Sequence, residues 1–219
     1  MLTISREVEL TAKLDAVRRE FAELRKDGDF VARIYSAVKS IDSWKYSTGP
    51  IFEQPPFIDE MSGFNPGRLL RKSYVDVFEA RAKGVYSSGF IGGQPIVTVS
   101  PSRSQSAPLA GAFYSYEDTL TRKTTYEIFD SSFTQVSKPS SVNALSHIFF
   151  WKDDVLASVG VGRGNASAIW LYYYGADKMI TGASMVTAPS NTQSDYEFLY
   201  DTTGVLTRVM SDGIVWERK

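Results

Sequence analysis

The sequence predicts an α+β fold: an N-terminal helical pair packed on a mainly antiparallel, twisted β-meander. Three observations carry this expectation. Apolar residues near the N-terminus recur at helical spacing, whereas from Ala112 onward an aromatic run, a short polar turn and a second apolar run repeat. With 219 residues and 43% hydrophobic content, the chain can bury roughly 70% of its unfolded surface without a metal or disulfide to hold it.

The first helix is expected over residues 5–26. Leu10, Leu14, Val17, Phe21 and Leu24 form a narrow stripe, Glu7 and Glu9 sit in the first turn where the macrodipole favours anions, and Asp27-Gly28 stops the helix. A second helix over residues 29–41 follows from Phe30, Ile34, Val38 and Ile41, with Asp29 available to cap it. The stripe spans fewer than three heptads and is followed at once by another amphipathic helix, which favours packing within the chain over a dimer seam.

Between Trp44 and Phe64, Gly49-Pro50, Pro55-Pro56 and Gly63 break any regular element, so a surface loop pinned by Ile51, Phe52, Phe57 and Ile58 is expected. Strands are expected over Arg68–Phe78, with helix as the alternative for residues 68–83, and over Ile96–Val99. The polar stretch around residues 100–110 reads as a loop or a boundary. It would separate residues 1–99, the helical pair with an irregular β segment, from a hairpin region at 111–219, unless the whole is a single domain.

Three hairpins are legible in the C-terminal half. His147–Trp151 turns at Lys152-Asp153-Asp154, Trp170–Tyr174 turns at residues 175–178, and Tyr196–Tyr200 turns at Asp201-Thr202-Thr203-Gly204; Phe113–Tyr116 with Glu117-Asp118 is a degenerate earlier copy. Alternation puts Trp170, Tyr172 and Tyr174 on one sheet face, and Tyr196, Phe198 and Tyr200 likewise, while Phe150, Leu171 and Leu199 face the other way. Both faces are therefore apolar. One packs the core, and the other is either covered by a further layer or left open for binding.

The string Tyr196-Glu-Phe-Leu-Tyr200-Asp201-Thr-Thr-Gly204-Val-Leu206 resembles the tyrosine–aspartate hairpin repeat of Rhs-type bacterial toxin proteins. Aromatics stack along one strand face, Asp201 bonds the turn backbone, and Gly204 permits a positive φ. The resemblance covers eleven residues of 219. It implies a cytoplasmic component of a polymorphic toxin system, most naturally an immunity protein that silences a toxin domain.

The chemistry the sequence offers is sparse. Cysteine is absent, so thiolate metal sites, disulfides and cysteine nucleophiles are excluded. The single histidine, His147, opens a strand and is expected to be a partly buried structural ring. Gly160-Val-Gly162-Arg-Gly164 precedes a strand-like run instead of a helix, which argues for a turn and against a phosphate loop. Asp195 and Glu197 face the same way about 7 Å apart, the one pair with acid–base spacing. No cofactor or metal is expected.

A net charge of −1 lacks the basic excess that non-specific nucleic-acid or membrane binding draws on. Charges at Arg6, Glu7 and Glu9 interrupt any apolar leader, and no run of about 18 apolar residues occurs, so a cytoplasmic chain is expected. The preferred function is a non-catalytic inhibitor that binds a toxin through aromatic anchors Trp151, Tyr172, Tyr174 and Tyr200, ringed by Asp153, Asp154, Asp177, Asp195 and Asp201. The alternatives are a β-barrel or sandwich around a small ligand, and a carboxylate-dependent glycosidase or nuclease.

Overall fold

The computed structural model describes residues 4–102, 109–128, 142–151 and 154–218. The helical pair is present as α1 (Ile4–Leu24) and α2 (Phe30–Lys39). Asp29 precedes α2 without a side-chain capping bond; instead Asp27 Oδ1 accepts from the Asp29 backbone N–H at 2.9 Å, and Arg33 holds the Asp27 carboxylate at 2.6 Å. The residue two positions earlier thus organises the junction, because it can reach both the backbone and a cation on the new helix.

A single antiparallel sheet follows. Its strands are β1 (Ser43–Ser47), β2 (Leu69–Leu70), β3 (Tyr86–Ile91), β4 (Gln94–Val99), β5 (Leu109–Glu117), β6 (Leu120–Ile128), β7 (Val142–Trp151), β8 (Asp154–Gly162), β9 (Ser167–Tyr174), β10 (Ile180–Ala188), β11 (Gln193–Tyr200), β12 (Leu206–Met210) and β13 (Ile214–Glu217). From β3 to β13 each strand pairs with its sequence neighbour, and the order closes at the other end with β3-β1-β2. The fold is therefore α+β with a meander sheet. The stretch at residues 100–110 joins β4 to β5, adjacent strands of that sheet, in the register Val97↔Phe113 and Val99↔Gly111.

Two regions differ from the sequence expectation. Residues 44–64 are not wholly irregular: β1 opens the segment and a short helix, α3 (Ile58–Met61), lies within it. Only β2 forms within Arg68–Phe78, and helix α4 (Val77–Ala82) follows, capped by Asp76, whose carboxylate accepts from the Phe78 and Glu79 backbone N–H groups at 2.9 and 2.8 Å. This cap outweighs the β-branched content of Tyr74-Val75-Asp76-Val77 by satisfying donors that a helix start otherwise leaves open.

Cross-strand partners share a face, so the ladders sort the side chains. One face carries Val97, Phe113, Leu145, Val159, Val161 and Ile169, and α1 and α2 bury Val17, Phe21, Phe30, Val31 and Ile34 against it. Residues 48–68 form a strap over the opposite face. Phe52 meets Phe90 of β3 edge-on, Gln54 Oε1 accepts from Lys123 of β6 at 2.9 Å, and Phe57 packs on Phe198 and Tyr200 of β11. Asn65 then accepts from the Trp216 indole of β13 at 3.1 Å.

The reach of this strap bears on the sheet's shape. From β3 to β13 a flat sheet would measure about 48 Å at a strand spacing of about 4.8 Å. Residues 52–65, containing one short helix, extend to less than about 40 Å. A strap this short, reaching both ends of the sheet, fits a sheet that curves around it, with α1 and α2 on the outer side. Among the described residues no helix is long and apolar enough to cross a membrane.

Candidate functional site

The anchors expected from the sequence divide between the two faces. Tyr172, Tyr174 and Tyr200 lie on the inner face with Trp170, Tyr196 and Phe198, in a cluster closed by Phe57, Ile58 and Met61 of the strap and by Trp216. Tyr172 is only 6% exposed, so its ring offers no contact area to a partner. Tyr174 and Tyr200 are half-buried; the Tyr200 hydroxyl donates to the Ile180 carbonyl at 2.7 Å, and burial pushes its pKa up to about 12. Tyr172 is core, and Tyr174 and Tyr200 pack against that core partly exposed. The strap covers them, since residues 48–68 cross the inner side where they lie. Trp151 ends β7, and its side chain, like Asp153, lies outside the described residues.

The acids have two kinds of place. Asp154 opens β8 half-buried, and Asp177 accepts from the Met179 backbone N–H at 3.1 Å to close its turn. Asp201 accepts from the Thr203 hydroxyl at 2.6 Å and from the Thr203 and Val205 backbone N–H groups at 2.8 and 3.0 Å, bonds that hold its carboxyl below the usual range. Gly204 sits beside it at φ 78°. Asp201 therefore builds its hairpin, as its place in the string suggests. Asp195 is different: it projects from the outer face into the open.

That outer face is the surface the structure leaves bare. α1 lies along β7 and β8 and reaches β9 through Arg18, whose guanidinium donates to Ser167 Oγ at 3.5 Å; among the described residues no other helix packs closely on β9–β11 of this face. The register Leu171↔Ser184↔Asp195 and Tyr173↔Gly182↔Glu197 brings an apolar row and an acidic row side by side. Tyr173 Oη donates to Ser184 Oγ at 3.0 Å, Ser184 Oγ donates to Asp195, and Gln193 Nε2 donates to Asp195 Oδ2 at 3.3 Å. Glu197, Arg208 and Glu217 continue the row, the last two ion-paired at 2.6 Å.

Where the bare face meets α1 there is an open cleft of about 360 Å³, walled by Leu10 and Lys13 of α1 and by Phe149, Leu156, Leu171 and Tyr173 of the sheet. Leu156 is 41% exposed, and Tyr173 and Val186 37% each. The Lys13 ammonium stands 4.4 Å from the centre of the Phe149 ring, and Glu9 pairs with Lys13 at 3.2 Å. Its apolar walls suit a ring or an aliphatic stem, while Asp195 and Glu197 stand two strands away on the same face. Tyr173 and Leu156 were missed as site residues; alternation separates Leu171 from Tyr172, but nothing in the strand reveals which face the strap takes.

The titratable groups singled out in the sequence take separate places. Asp195 is engaged by Ser184 and Gln193, and neither it nor Glu197 lines one of the principal clefts. His147 lies under α1, its Nε2 3.0 Å from Glu20 Oε2, while Arg122 binds the other Glu20 oxygen at 3.0 Å and Glu117 at 2.6 Å. Burial pushes the His147 pKa down against the pull of Glu20. The Gly162–Gly164 stretch forms a tight turn between β8 and β9, with Gly164 at φ 69° and Asn165 at φ 61°. Among the described residues no three acids or histidines are grouped to hold a metal ion. Comparison with known proteins gives no matching family model, no matching curated protein and no matching solved structure.

Proposed function

We propose that the chain is a non-catalytic, protein-binding inhibitor of the bacterial immunity type, acting in the cytoplasm, and that it grips a cationic toxin surface with the bare outer face of β8–β11. The observation that supports this reading is the juxtaposition of exposed Leu156, Tyr173 and Val186 with Asp195 and Glu197 on one strand-rigid surface. Rings and aliphatic groups supply desolvated anchors, and the carboxylates steer a basic partner toward them and select against acidic ones. The backbone beneath is fully laddered, so little ordering entropy opposes docking.

The test is co-expression with the toxin domain encoded beside this gene, followed by purification and titration. A complex is expected whose association slows with added salt. Tyr173→Ala combined with Asp195→Lys should weaken it at least about 30-fold, the loss of one hot spot. A complex of unchanged affinity in that variant would place the interface elsewhere, and failure of the neighbouring toxin to bind would overturn the inhibitory reading.

A further inference from the structure

On the strap side, away from the bare face, residues 65–68 meet the last strands around a second cleft of about 580 Å³. Its walls combine Arg68 and Arg218 with Thr48, Asn65, Glu60 and Trp216. Neither guanidinium makes an ion pair among the described residues; Arg218 acts on Asp201 through space only. Two planar guanidinium forks without an ion pair border one cleft, and an oxyanion such as phosphate can accept from both.

The rest of the cleft is built to hydrogen-bond something more than an oxyanion. The Trp216 indole donates to Asn65 Oδ1 at 3.1 Å, which leaves the Asn65 amide N–H groups as donors toward a ligand. Thr48 Oγ1 accepts from the Arg68 backbone N–H at 2.9 Å, which leaves its own proton free to donate. Glu60 is only 8% exposed, yet burial, with the Asp59 charge beside it, acts on its carboxyl and no arginine does. The cleft thus combines two cationic donors for an oxyanion with a carboxyl that can accept from hydroxyl groups. Trp216, Leu206, Val205 and Pro66 give an apolar floor between them.

We propose that this cleft is a binding site for a small phosphorylated sugar, with Arg68 and Arg218 on the phosphate, Asn65, Thr48 and Glu60 on hydroxyl groups, and the ring over Trp216. The volume falls in the ordinary range of small-molecule sites, about 300–1,000 Å³. The inference is independent of the docking face, which lies on the other side of the sheet.

Calorimetric titration of the full chain with ribose 5-phosphate, ribose and inorganic phosphate tests it. Ribose 5-phosphate should saturate at sub-millimolar concentration, at least about tenfold more tightly than either part alone, a difference of about 1.4 kcal/mol. Arg68→Ala with Arg218→Ala should abolish binding, and both positions are exposed, so the melting temperature should stay as in the parent. Glu60→Gln should weaken ribose 5-phosphate while leaving inorganic phosphate unchanged. Failure of ribose 5-phosphate to saturate by about 10 mM, or binding unchanged in the double arginine variant, overturns the site. Inorganic phosphate binding as tightly as ribose 5-phosphate overturns the sugar assignment and leaves an oxyanion pair only.

Discussion

Lys123 lies on the inner face opposite Tyr114, with its ammonium on Gln54 of the strap. Burial pushes its pKa from the usual 10.5 down to about 8, and the charges of Asp59 and Glu53 only partly resist. Between those two values the unfolded chain keeps a proton that the folded chain has released, so stability rises with pH through this window. Above pH 10 the sign reverses, because burial raises the pKa values of Tyr114, Tyr116, Tyr126 and Tyr172 and the unfolded chain ionises first. Urea unfolding should accordingly show a gain of about 1–2 kcal/mol from pH 8 to 9.5. Lys123→Met should abolish the gain; an equal slope in the variant would assign it to another group. None of this was legible in the sequence, where Lys123 is one of 24 basic residues. The strap alone makes it special.

At the scale of elements, α1 and the hairpins were legible because periodicity is a local property: Leu10, Val17 and Phe21 are buried on the stripe they spell. The strap was not, because Phe52, Phe57, Ile58 and Met61 follow no period. Their spacing answers to the sheet residues they cross, and Phe57 adopts φ 56° to deliver its ring to Phe198. The same element decided the site, for both sheet faces are apolar and the strap chose the one bearing Tyr172 and Tyr200. Ladders have their own narrow points. A Cβ on Gly111 would stand 1.9 Å from the Thr98 carbonyl oxygen and 3.0 Å from Tyr126 Oη, so β4 and β5 approach only across a glycine. Gly111→Ala should cost about 1–3 kcal/mol, read as a lower urea midpoint, as overpacking does elsewhere. An unchanged midpoint would mean that the β4–β5 ladder can spread freely.

For the whole molecule, the meander alone would be nearly one-dimensional, each strand resting on its neighbours. The strap ties β3 to β13, through Phe52, Phe57 and Asn65, and so couples the two ends. Removing Phe57 and Asn65 side chains together, as Phe57→Ala with Asn65→Ala, should raise hydrogen exchange in β11–β13 at least about tenfold, with β5–β8 under α1 unaffected. Acceleration spread evenly over all strands would show that the strap supports the sheet as a whole. Because strand order follows chain order from β3 to β13, a ribosome delivers each strand beside the one it needs, and the sheet can lengthen hairpin by hairpin as it emerges. The strap is synthesised early yet finds its Phe198 and Trp216 partners only when β11 and β13 have appeared. Translation thus completes the cover of the inner face, and the arginine cleft beside it, only after the rest of the meander is in place.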